Sequence, residues 1–400
     1  MKFRTSKLVV MVIVAVLGLS TIATAGDNVV IGTLPASGLI YTAGDMYTGG
    51  ELFTINESAP GTVTNYWSFV DNWSVNVGGV RSLAKGYVDP TYGPTVLVGM
   101  GWGYPVVKTP NASGFTEPAT TSFSGYFQPP YYDGVDTIAS KPNGDVLVGI
   151  GGGMQNETVG GGEIYMYALN KTNLQAGAPG LSPYYNTTLR GATGYGLDFT
   201  EMESISNGTI VAAIHNLVML ADGYDLINSG TGGFEQSAEY PGVWQATFAD
   251  NVSAMAVTST GLVVTGLHNG YIDVRAMNDF GTVLASVTLA STIKEIEILA
   301  NGNIAAGLAN GDVDVLSAGL ALLDTENFSA AIGGLAATSN GNLAIGAGSM
   351  FYLRSGSDLS SGTAGEDMGN PIGAIVSIVP EPVTMVLLGL GGLLMRRRSN

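Results

Sequence analysis

Two pairs of glutamates and two histidines are the residues of this chain whose type and placement could do chemistry. Glu201 and Glu203 flank Met202, and Glu295 and Glu297 flank Ile296. In an extended strand side chains alternate, so each pair lies on one side and the apolar residue on the other. Paired carboxylates serve glycoside hydrolysis as acid and base or nucleophile, and they are hard ligands suited to Ca²⁺. In so acidic a chain the same pairs read more simply as a solvated acidic rim. Four carboxylates in a dry interface would be costly, so they are expected to reach a solvated central channel or face. His215, in Ile214-His215-Asn216, and His268, in Leu267-His268-Asn269-Gly270, each follow a turn by eight residues. Two imidazoles could join a metal site, but such a site takes three or four ligands, and polar turn residues explain them more simply.

Other chemistries are excluded by what the chain lacks. Without a cysteine there is no thiol catalysis, no Cys-based zinc site and no disulfide. No Walker loop, G-x-S-x-G elbow or H-E-x-x-H occurs, and Gly151 to Gly153 and Gly160 to Gly162 bracket a loop that precedes no helix. Asn310-Gly311-Asp312-Val313-Asp314 lacks the full spacing of a calcium loop and its distal Glu, so turn chemistry accounts for it. No cofactor is indicated, Ca²⁺ being the one ion the carboxylates could hold. The formal net charge is −17, and Lys2, Arg4, Lys7 and Arg396 to Arg398 sit in the two end segments, so the body between is more negative still. Such a surface repels nucleic acid. Its few scattered basic residues also weigh against an enzyme that stabilises an anionic substrate or transition state. Half of the aromatic residues fall between Tyr41 and Tyr132, among them Trp67, Trp73, Trp102, Tyr104, Tyr126 and Tyr131. Rings beside Asn and Asp could stack on sugar faces, or they fill wider structural units.

The frame that must position these residues is a repeat. An apolar residue, then five positions on a turn, then a β-branched or Leu run towards Gly recurs with turns at Asn143, Asn207, Thr260, Asn301 and Asn340, each followed by Gly. Asn-Gly between short alternating runs predicts hairpins with type I′ turns. The steps between turns shorten from 64 to 39 residues, and a period near 40 with about four strands per unit marks propeller blades, the longer steps carrying insertions. Val80 to Leu83 with Val96-Leu97-Val98-Gly99 gives an earlier unit, and Leu39 to Tyr41 through Leu52 to Ile55 a weaker first one. Ile372 to Ile378 reads as an inner strand without its hairpin, so it is expected to complete the first unit and close a ring. The expected fold is all-β, a β-propeller of about seven four-stranded blades over residues 26–379. The body resembles propeller repeat proteins in general. Residues 359–371 read either as a loop into the closing strand or as the start of a stalk.

Both ends concern export. Lys2, Arg4 and Lys7, an apolar run from Leu8 to Leu19, and Ala23-Thr24-Ala25 make a signal peptide over residues 1–25, cleaved near Gly26. Residues 380–400 comprise Pro380-Glu381-Pro382, an apolar run from Val383 to Met395, and Arg396, Arg397 and Arg398. As a helix that run spans only about 20 Å, a marginal membrane anchor with its arginines on the cytoplasmic side. This tail resembles the PEP-CTERM sorting signal of bacterial exported proteins. The resemblance implies a Gram-negative host that makes exopolysaccharide, an exosortase-like processing enzyme as partner, and a transient inner-membrane anchor before the cell surface or extracellular matrix. It also implies envelope proteins or polysaccharide as further partners. On this reading the chain is a non-enzymatic binding or structural platform. The alternative is a propeller-type polysaccharide hydrolase or lyase using the Glu and His residues.

Overall fold

The computed structural model describes residues 28–34, 50–60, 62–68, 79–89, 93–100, 106–111, 114–116, 135–150, 164–169, 187–189, 199–222 and 240–378. The signal segment with Ala23 and Ala25, the tail from Pro380 to Arg398, and Trp73, Trp102, Tyr104, Tyr126 and Tyr131 lie outside the described residues. Trp67 lies in a described strand, paired with Leu52.

Every described element is a strand, and the strands form seven antiparallel sheets. Their innermost strands are Ile372–Ile378 in blade 1, Val80–Asp89 in blade 2, Val135–Ser140 in blade 3 and Phe199–Ser204 in blade 4. Blades 5, 6 and 7 begin with Val252–Val257, Ile293–Ile298 and Ile332–Ala337. Each inner strand packs against the next in cyclic order, and Ile372–Ile378 lies between blades 7 and 2. Blade 1 is built from both ends of the body: Ile372–Ile378 pairs with Asn28–Thr33, which pairs in turn with Glu51–Asn56 and then Val63–Ser68. The weak first unit in the sequence thus has an earlier second strand, Asn28–Thr33, than its hydrophobic pattern suggested. Residues 359–362 belong to the outer strand of blade 7, Asp358–Gly362, and 363–371 form the connection into the closing strand, with Glu366–Asp367 added to the third strand of that blade.

The five inner hairpins differ from expectation in their turns. Only the glycines take positive φ, between 82° and 88°, at Gly144, Gly208, Gly261, Gly302 and Gly341. The Gly144 amide donates to the Lys141 carbonyl (2.8 Å) and the Lys141 amide to the Asp145 carbonyl (2.8 Å), a pattern repeated in the other four. These are type I turns closed by a left-handed glycine, not type I′ turns, so one glycine suffices. The preceding Asn earns its place through its side chain: Asn143, Asn207 and Asn301 Oδ1 each accept the amide two residues on at 3.0 Å.

A second repeated device explains the glycine near the end of the second strand, which every blade but the fourth, with Ala213 there, carries. Inner strands carry a β-bulge after their first residue, so that residue leans onto the preceding blade. A Cβ on Gly266 would stand 2.7 Å from Ile293 of the next blade, on Gly307 2.5 Å from Ile332, and on Gly346 2.6 Å from Ile372. Each glycine is the socket for the first apolar residue of the following inner strand. The last socket receives the closing strand, so the ring joins end to end by the contact that joins neighbours.

The core lies between blades. Ile372 and Ile375 bury against Phe351 and Leu353 of blade 7, while Ala374, Val376 and Ile378 bury against Val80, Val96 and Val98 of blade 2. At ~1.5–3 kcal/mol for each large apolar side chain, both faces of one strand hold the ring shut. A polar clasp is added at the 7–1 seam. The Glu57 carboxylate, 7% exposed, accepts from Thr338 Oγ1 (2.5 Å), Asn340 Nδ2 (2.5 Å) and Asn342 Nδ2 (2.7 Å) of the last inner hairpin.

Candidate functional site

Register places Glu201 and Glu295 at one level of the inner wall and Glu203 and Glu297 at the next. Each first-level residue pairs with the small residue of its second strand, Ala213 or Gly307. The other inner strands carry Ser82, Thr137, Ala254, Gly334 and Ala374 at the first level. Blades 4 and 6 therefore supply carboxylates to a wall that is otherwise small or weakly polar. Met202 and Ile296, between the members of each pair, are buried on the opposite side. The expected alternation holds, and Glu203 reaches across to the inner strand of the following blade.

The carboxylates are not idle. Glu203 Oε1 accepts the Val257 amide of blade 5 at 3.1 Å. Glu201 accepts the Met255 amide from the same strand, and Glu297 accepts the Ala337 amide of blade 7. The innermost strand of a blade has no strand partner on its axial side, and an orphaned amide there is costly unless something accepts from it. Glu201, Glu203 and Glu297 each cap such an amide on the next blade, and Glu295 does not.

Electrostatics at this wall run against ionisation. All four glutamates are half-buried, and desolvation is the largest influence on each. Burial, then the charges of Glu295 and Glu297, hold Glu201 well above the usual carboxylate range. Burial, then Glu201 and Glu297, do the same to Glu203. Burial pushes Glu295 up to about 8 against the moderating charge of adjacent Lys294. It pushes Glu297 up to about 7, against the Ala337 hydrogen bond and Lys85 on the blade 2 strand.

His215 and His268 occupy the same turn, between second and third strands, in the neighbouring blades 4 and 5. The structure thus puts both on one face, as their spacing implied. Their backbones join blades: the His215 carbonyl accepts the Val252 amide (2.7 Å), and the His268 carbonyl accepts Thr292 Oγ1 (2.6 Å). His215 sits at φ +52°, with Nδ1 3.2 Å from Asn216 Oδ1. Among the described residues no group of three or more His, Asp or Glu side chains has the geometry to hold a metal ion. The Asn310 turn likewise closes on itself, its Nδ2 donating to Asp312 (2.6 Å).

Two features escaped the sequence reading. One is Glu57, whose partners lie more than 280 residues away. The other is a pair of Arg-over-Phe stacks at two blade interfaces, Arg275 on Phe248 (4.9 Å) and Arg354 on Phe328 (5.4 Å). The nearly equal spacing of each Phe from its Arg along the chain is the signal that marks the second.

This geometry defines a β-propeller. No protein-family model matches the sequence, and no curated protein does. Among solved structures, the chain is similar to the computationally designed Ika8 protein, at 15% identity and a TM-score of 0.50, over 85% of this chain and 92% of that one. It is similar to U3-55K at 13% identity and a TM-score of 0.53, over 74% and 84%. The WD40 β-propeller domain of Doa1 aligns at 12% identity and a TM-score of 0.49, over the same shares. At such identities the likeness concerns the fold alone. No helix among the described residues is long and apolar enough to cross a membrane.

Proposed function

We propose that the chain is an exported, non-enzymatic binding or structural platform of the bacterial surface or extracellular matrix, working with polysaccharide and sorted through Pro380-Glu381-Pro382. One observation carries the non-enzymatic part. The side chains best suited to catalysis are engaged in holding blades together, since Glu201, Glu203 and Glu297 each cap a backbone amide of the following blade. The cyclic ring, joined at its closing seam by the same kind of socket as at its other joints, supports a rigid display surface. The acidic, cysteine-free body suits an extracellular setting.

The test has two arms. Mass spectrometry of the protein recovered from cells should find chains ending near Pro380-Glu381-Pro382; mature surface protein ending at Asn400 would sink the sorting reading. The full-length chain should be retained on immobilised polysaccharide without cleaving it. A hydrolase or lyase is favoured by one fact: Glu295 and Glu297, raised to about 8 and 7, would hold a proton near neutral pH as a general acid must. Polysaccharide turnover lost in both Glu203→Gln and Glu297→Gln would establish that reading instead.

A further inference from the structure

Two blade interfaces share one plan and differ at a single point. In both, an arginine near the end of a third strand lies over a phenylalanine that follows the outer strand of the preceding blade: Arg275 over Phe248, and Arg354 over Phe328. Arg354 pairs with Glu326 (3.1 Å), and Tyr352, two residues earlier, packs on Phe328 with ring centres 4.8 Å apart. Tyr352 fills the space in front of the arginine. At the 4–5 interface the residue two before the arginine is Asp273, too short to fill that space, and a cleft of about 410 Å³ opens there. This volume falls in the lower part of the ~300–1,000 Å³ range of small-molecule sites.

Its lining combines ring and planar polar groups, Phe248, Tyr271, Asn269 and Arg275, with the exposed Thr247 and Thr288. The polar groups are held in place. Asp273, fully buried, binds both Nε and Nη2 of Arg275 at 3.0 Å, and Nη1 donates to the Phe280 carbonyl (3.1 Å). Asn269 Oδ1 accepts the Tyr271 amide (3.0 Å), so its amide nitrogen is the group left to donate. A buried ion pair is a poor device for stability alone. Blade 6 manages without it, having Leu316 in place of Arg275 and satisfying Asp314 with the Thr325 hydroxyl (2.7 Å).

Asp273 cancels the charge of Arg275, and the protein around it is strongly acidic, so an anionic ligand gains little here. Planar donors beside an aromatic face suit vicinal hydroxyls on a flat apolar ring. We infer that the cleft between blades 4 and 5 binds one neutral pyranose unit, with Tyr271 as its stacking face and Arg275, Asn269 and Thr288 as its polar contacts. The inference rests on the polysaccharide-platform reading and names its site.

The test is titration of the full-length chain with methyl β-D-glucopyranoside, methyl β-D-galactopyranoside and methyl β-D-glucuronide, followed by NMR shifts at the Tyr271 and Asn269 amides. A neutral glycoside should shift both amides and outcompete the glucuronide. Tyr271→Ala should weaken binding at least tenfold, and Tyr271→Phe by less than about threefold. Thr288→Trp, at an exposed position, should block the mouth while leaving the melting temperature unchanged, which keeps the test decisive if Tyr271→Ala unfolds. No shift at either amide, preference for the glucuronide, or full binding in Thr288→Trp would overturn the cleft. Retention on polysaccharide unchanged in Thr288→Trp would overturn the cleft and leave the platform reading standing. Glycoside binding without polysaccharide retention would do the reverse.

Discussion

Glutamates act at three seams of this ring, and by two different means. At the 7–1 seam Glu57 reaches across from a turn and accepts from three side chains, Thr338, Asn340 and Asn342. At the inner wall Glu201, Glu203 and Glu297 each cap one backbone amide, and they crowd Glu295 and one another. The first arrangement surrounds one charge with donors. The second gathers four carboxylates with Lys85 and Lys294 as the basic neighbours that act on them. A carboxylate at a seam is therefore stabilising or self-opposing according to how many donors each negative charge receives.

That contrast can be broken from its strong side first. Glu57→Ala would leave three donors at a buried seam without their acceptor, at a cost of about 3 kcal/mol or more. Chemical denaturation should show it, and a change under about 1 kcal/mol would remove the clasp from the account. Next is the shared joint: Gly346→Val places a side chain where Ile372 seats, and overpacking of this kind costs ~1–3 kcal/mol. The same substitution at Gly307, against Ile332, should cost a similar amount, because closing and ordinary joints are alike; a much larger loss at Gly346 would make the seam special.

The weak side responds to pH. The wall carboxyls bind protons more tightly folded than unfolded, so the unfolded chain sheds them first as pH rises from the ordinary value of 4.5. Their stabilisation is complete below about 4.5 and is lost as pH climbs through about 7 and 8. Melting temperature should fall across that window, and a rise there would contradict the crowding. The smallest effect belongs to Glu297→Gln, which keeps an acceptor for the Ala337 amide but removes a charge. It should be nearly neutral near pH 5 and should raise the melting temperature at pH 9, flattening the profile.

Much of the fold was legible because hairpins are local. The register of Asn143, Asn207, Asn301 and Asn340 with their glycines needed only residues a few positions apart, and Ile372 to Ile378 betrayed itself as an inner strand without a hairpin. The turn type is hidden for the same local reason: Asn-Gly satisfies both geometries, and only hydrogen bonds distinguish a left-handed glycine after a type I turn from a type I′ turn. Asn28–Thr33 is not legible in this way because its inner partner, Ile372–Ile378, lies at the far end of the body. Side-chain alternation placed both glutamate pairs on the inner strands, and spacing placed both histidines in one kind of turn.

By itself, then, the sequence determined the all-β repeat, the approximate number of blades, the hairpin register and the side of each inner strand on which the glutamate pairs lie. These follow from backbone conformation and strand period, which act over a few residues. Tertiary structure alone decided what those side chains do. It brought Glu57 to a hairpin more than 280 residues away, aimed three wall glutamates at the amides of neighbouring blades, and set Asp273 rather than a tyrosine before Arg275 to open a cleft. Burial and the arrangement of donors around a carboxylate depend on which blades become neighbours, and that is settled only when the ring closes.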